Sequence, residues 1–195
     1  MADPSYIVDG VLTDSEAWVG IAHASLSLPA STVTWTSTND GQTGDFSQYM
    51  DLKIICNVRS SVASDQDTLY LKLNNAGVTG GYVWQVLYGN GSTVTATNSS
   101  RNKCDIGTMP ANTATANVFS SHIIDLLDVN SGKYKFIMSL FGNVGYAAAS
   151  GTVGFYPTQW VSAAAITEID IFSNSSTLAA GSTFDLFGLL PRMVS

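Results

Sequence analysis

The chain is short of charge. Only 12% of its 195 residues are charged, about half the ~25% usual in globular domains. Their place is taken by 24 serines and 19 threonines. Positive charge is scarcest: Lys53, Arg59, Lys72, Arg101, Lys103, Lys133, Lys135 and Arg192 stand alone or in twos, and the formal net charge is −7. A nucleic-acid interface or an anionic membrane surface starts from clustered cations, so neither partner is expected. There are two histidines, His23 and His122, and two cysteines, Cys56 and Cys104. Two cysteines make no disulfide framework. Free thiols are the expectation, with Cys56 facing the core as a small hydrophobe. No HExxH, CxxC or Gly-x-Ser-x-Gly pattern occurs, and Gly89-Asn90-Gly91-Ser92 misses the last. Gly142-Asn143-Val144-Gly145 leads into no Lys-Ser/Thr pair, so it is no phosphate cradle. Catalytic residues, metal ligands and cofactors are therefore not expected. No apolar run approaches the ~18 residues of a membrane helix. The opening MADPSYIVDG lacks the basic and apolar regions of a secretory signal, which points to synthesis in a cytoplasm.

What the chain has is alternation, the mark of strands with one buried face. Leu52, Ile54, Cys56 and Val58 alternate with Lys53, Asn57 and Arg59, and Leu69, Leu71 and Leu73 with Tyr70 and Lys72. Tyr82, Trp84, Val86 and Tyr88 alternate with Val83, Gln85 and Leu87, a strand with both faces covered. Tyr134, Phe136, Met138 and Leu140 stand against Lys133, Lys135 and Ser139, which would bury the first set. Val33 and Trp35, Ile169 and Ile171, and Phe184 and Leu186 complete the series. Turn marks at Asn39-Asp40-Gly41, Asn74-Asn75, Gly80-Gly81, Asn90-Gly91 and Ser131-Gly132 separate them. Eight to ten antiparallel strands in one domain, an all-β sandwich of jelly-roll type, fit this pattern. Thr13 to Glu16 has capping-box spacing, but the stretch from Trp18 reads as a first strand. Residues 98–116 read as a long surface loop with one short strand at Lys103 to Ile106.

Several groups invite a chemical reading. Asp65, Asp67, Asp40 and Asp45 offer oxygen ligands without the spacing of a calcium loop. Glu168 and Asp170 alternate on one strand and read as a solvated face or a subunit contact. Four tryptophans and eight tyrosines either fill the core or stack on sugars, and the core is the commoner use. The apolar ends, Tyr6, Ile7 and Val8 within residues 1–12, and Leu189, Leu190 and Met193 around residues 190–195, read as interaction arms.

From Tyr49 onward the order of segments carries a resemblance. YMDLKIICNVRSS, LYLKLNNAG, YVWQVLYGNGS, IIDLLDVNSGKYKFIMSLFG and WVSAAAITEIDIFSNSSTLAAGSTFDLFGL follow one another. The series resembles a family of tailed-bacteriophage virion proteins that closes on Ala-Ile-x-x-Ile-x-Ile, Ala-Ala-Gly-Ser and a Leu-Tyr-Gly strand. Here those elements are Ala165 to Ile171, Ala179 to Ser182, and Leu186-Phe187-Gly188. Asn74-Asn75-Ala76-Gly77 lacks the family's turn Asp, and Val161 stands where a basic residue often follows the Trp. The resemblance implies a jelly-roll particle protein with no catalytic residues. It would be a capsid decoration or cement protein, self-associated as a homotrimer on the major capsid protein and located in the virion. The alternative is a tail-associated receptor- or glycan-binding module.

Overall fold

A computed structural model describes residues 7–8, 11–12, 18–38, 44–145 and 151–190, the first two pairs as backbone only. Its elements are strands and one 3-10 turn at Phe46–Gln48. The strands are β1 (Ile7–Val8), β2 (Val11–Leu12), β3 (Trp18–Ser25), β4 (Thr32–Thr36), β5 (Asp51–Val58), β6 (Gln66–Leu73) and β7 (Tyr82–Gly89). They continue with β8 (Val94–Arg101), β9 (Cys104–Pro110), β10 (Ser120–Leu127), β11 (Lys135–Val144), β12 (Gly151–Trp160), β13 (Glu168–Ser173) and β14 (Thr183–Leu189). The Thr13 to Glu16 spacing and the Asn39-Asp40-Gly41 turn lie outside the described residues.

Two antiparallel sheets hold the chain. The larger has the order β3-β14-β5-β10-β11-β12-β7-β8 and the smaller β4-β13-β6-β9, while β1 and β2 pair with each other. Four pairings are nested: β3 with β14, β4 with β13, β5 with β10, and β6 with β9. The chain thus winds as one doubled ribbon that crosses between the sheets. The β7–β8 and β11–β12 hairpins widen the larger sheet from the inside of that ribbon.

Alternation builds the core. Leu52, Ile54, Cys56 and Val58 of β5, with Phe184 and Leu186 of β14, face Leu69, Leu71, Leu73, Ile169 and Ile171 of the smaller sheet. Both thiols are free and buried there. Burial pushes the Cys104 thiol up to about 12 and that of Cys56 higher still, so neither is a nucleophile near neutral pH. A second cluster, Trp84, Val86, Phe141 and Tyr156, lies under β7, β11 and β12.

Residues 98–116 depart from the loop expected of them. They complete β8 and supply all of β9, and the remaining loop begins at Ala111. The polar run Val94–Arg101 is a strand at the sheet edge, almost wholly exposed on both faces. No apolar face is needed there, so no alternation marks it. The segment joining β13 and β14 crosses from the smaller sheet to the larger. Gly181, with φ +87°, turns the chain between them.

The β6–β9 ladder slips between Leu69 and Tyr70: Leu69 pairs with Gly107 and Tyr70 with Asp105, leaving Ile106 unmatched. Gly107 has φ +123°, a conformation nearly closed to other residues. A Cβ there would stand 2.5 Å from the Phe141 ring. Gly107→Ala is therefore expected to cost about 2–4 kcal/mol through backbone strain and overpacking. Urea unfolding measures it, and a loss under about 0.5 kcal/mol, the size of an ordinary surface change, would show that the bulge is dispensable.

Candidate functional site

The unmatched Ile106 leaves its carbonyl to be satisfied from the facing sheet. His122 Nδ1 lies 3.1 Å from that oxygen, and the Ser139 hydroxyl donates to it at 2.7 Å. His122 Nε2 lies 2.9 Å from Ser120 Oγ, and its ring stacks on Phe141 at 5.4 Å. Further along, the Asn143 amide approaches Gln66 and Thr108 at 3.5 and 3.4 Å. The inner face of β10 and β11 is thus partly polar where it meets β9.

This reverses the expected sense of β11. Lys135, Ile137, Ser139, Phe141 and Asn143 are the buried residues. Lys135 is fully buried, with its ammonium donating to the Lys133 carbonyl. Phe136, Leu140 and Val144 face outward and are exposed. The period-two pattern holds, but hydrogen bonding to β9 decides which set goes in.

Outward residues of the neighbouring strands extend the apolar surface. Leu140 stands opposite Ile123 of β10 and Phe155 of β12, and Phe155 opposite Leu87 of β7. Leu140 is 52% exposed, Val153 56% and Val94 of the β8 edge 77%. Between them lies an open hollow of about 640 Å³. Gly142 forms part of its wall, where a Cβ would meet no atom within 4 Å. From β10 to β8 the outward positions carry one ionisable side chain, Asp125, already paired with Lys53 at 2.6 Å. Exposed apolar patches of several hundred Å² on a soluble chain mark contact sites.

The opposite outer face, on the smaller sheet, is different. Structure gathers three of the scattered cations there: Lys103 Nζ lies 3.8 Å from the Tyr70 ring centre, Lys72 Nζ 5.6 Å from that of Phe172, and Arg101 donates to the Tyr70 hydroxyl at 3.1 Å. Glu168 and Asp170 are half-buried on the same face, with the Thr34 hydroxyl donating to Asp170 at 2.6 Å. The sequence separates these cations by up to 31 positions, so only the fold unites them.

The remaining groups are accounted for locally. Asp67 is buried and accepts from the Ser60 and Ser173 hydroxyls, while Asp45 caps the 3-10 turn through Ser47. Among the described residues no three His, Cys, Asp or Glu side chains come together as a metal site. Ser120 and His122 have the contact of a nucleophile and base, but both are fully buried. His23 lies 2.7 Å from Asp185 on the surface. Trp35, Trp84 and Trp160 are buried, and the exposed ring of Trp18 has Lys53 over it at 4.6 Å. Of the apolar ends, Ile7 and Val8 form β1 and Leu189 lies half-buried in β14 between β3 and β5, with Leu190 following. Tyr6 and Met193 lie outside the described residues.

Burial holds His122 down at about 4, so it is neutral at pH 7. Below its ordinary value of 6.5 the unfolded chain takes up a proton that the folded chain refuses until about 4. The stability it contributes is complete above 6.5 and is lost as pH falls through that window. Asp105, pushed up to about 6 by burial, acts in the opposite sense, its contribution growing as pH falls below 6. Comparison with His122→Gln isolates the histidine: between pH 7 and 4.5 the wild type is expected to lose ~2 kcal/mol more than the variant. Parallel stability curves for the two proteins would refute the assignment. No protein-family model matches this sequence, and no curated protein is significantly similar to it.

Proposed function

We propose that this chain is a structural protein of a tailed-bacteriophage particle, a jelly-roll subunit that decorates the capsid shell as an oligomer. One observation carries the reading: a nested two-sheet ribbon presents a broad, almost charge-free apolar face. The strand orders β3-β14-β5-β10 and β4-β13-β6-β9, joined by crossings between sheets, suit a jelly roll. The segment order from Tyr49 to Leu189, with its resemblance to virion proteins, supports the same assignment. An apolar face exposed at this scale suits a protein that works by assembling. In this reading the chain performs no catalysis, and its site is a contact. The ends bearing Tyr6, Ile7, Val8, Leu189, Leu190 and Met193 seat it against the major capsid protein or a neighbouring copy.

The second reading, a tail-associated glycan-binding module, draws on the Lys72, Arg101 and Lys103 cluster beside Tyr70 and Phe172. Its rings are covered by cations, which leaves them poorly placed for sugar stacking. Anionic glycan would have to bind there by charge alone.

Purified protein added to naked capsids is expected to bind at regular shell positions in electron micrographs. Labelling confined to the tail tip would favour the second reading. Absence of the protein from purified particles would overturn both.

A further inference from the structure

We propose that the outer face of β10, β11, β12 and β7 is a self-association surface, occupied by the same face of a second copy of this chain. The charge distribution of the face admits a second copy as its occupant. Two chains of net charge −7 repel, so contact is least opposed where no acid would face an acid. This face meets that condition, since its one carboxylate, Asp125, is already neutralised by Lys53. The outer face of the smaller sheet, with Glu168, Asp170, Lys72 and Lys103, does not. A partner chosen for opposite charge would find nothing to recognise between β10 and β8.

The size and relief of the face fit the same occupant. Its outward side chains, among them Ile123, Leu87, Leu140 and Val153 at 42–56% exposure, sum to an area on the order of the ~800 Å² that each partner commits to a standard interface. It also carries both halves of a fit: Leu140, Val153 and Leu87 project, and the hollow bounded by Gly89 and Gly142 lies beside them. A surface with projections and a recess of one apolar chemistry can be complementary to itself, as an isologous contact requires. Removing these side chains from water supplies the driving force, at roughly 25 cal/mol per Å².

The inference is independent of the phage reading, because it concerns the chain in solution. Sedimentation of the full chain is expected to show reversible self-association. Leu140→Asp combined with Val153→Asp should weaken it by ~100-fold, because each carboxylate would be buried without a partner. Leu28→Asp, at an exposed residue of the β3–β4 connection by the opposite edge of the larger sheet, should leave it unchanged. Should the double variant misfold, Val153→Cys supplies a second test, since both native thiols are buried. A short bis-maleimide should link Val153→Cys into dimers and leave Leu28→Cys unlinked. A wild type that stays monomeric, a double variant that folds and associates like wild type, or equal linking at both positions would each overturn the proposal. Loss of shell binding with intact self-association would count against the particle reading alone.

Discussion

The carbonyl of Ile106 governs much of the distal half of this molecule. A one-residue slip in the β6–β9 ladder leaves Ile106 without a partner residue in β6, and its carbonyl lies buried between the two sheets, where an unpaired backbone acceptor would cost about 1–3 kcal/mol. His122 and Ser139 answer it from two adjacent strands of the other sheet. Both must then point inward. Because side chains alternate, that choice fixes every other residue of β10 and β11. Ile123, Phe136, Leu140 and Val144 are outward because Ser139 and His122 are inward.

The same slip needs Gly107, whose missing side chain admits Phe141. Gly154 of β12 flanks the ring on another side, where a Cβ would also collide with it. Phe141 in turn stacks on His122 and meets Tyr156 edge-on at 5.0 Å. A polar bridge and an aromatic cluster are therefore interlocked through one ring. Burial keeps the histidine neutral, so one ring nitrogen carries the proton it donates while the other accepts. With Ser120 beside Nε2, the buried network closes without a charged group.

Much of this fold was legible in the sequence. Strands with a purely apolar inner face, such as β5 and β14, announce themselves by alternation, and their residues are buried as that pattern requires. The legible strands end where hydrophobicity stops distinguishing inside from outside. β8 is exposed on both faces, so its Thr-Asn-Ser run looks like a loop although its backbone pairs fully with β7. β11 has a clear period, but the sense depends on a carbonyl 33 residues away that no local pattern reports. The candidate contact face was missed for that reason: Leu140 and Phe136 read as core. An inverted strand could have been suspected from Lys135, Ser139 and Asn143 sharing one parity with Ile137 and Phe141.

The scarcity of charge gains a physical meaning from this geometry. A soluble chain normally protects a wide sheet face with Lys and Glu, which oppose pairing with other chains. Here the polar surface is made chiefly from Ser, Thr and Asn, and the charges are concentrated elsewhere, as on the smaller sheet. Hydroxyls and amides give up water far more cheaply than ions do. A surface of this kind keeps the free chain hydrated and still lets it be covered at modest cost. The inward polar residues of β11 add the complementary half: they spend hydrogen-bonding groups on the interior and leave apolar ones outside. The bridge to the Ile106 carbonyl fixes that inward set, and a second copy seated on the outer face, as proposed, would bury the apolar residues left outside.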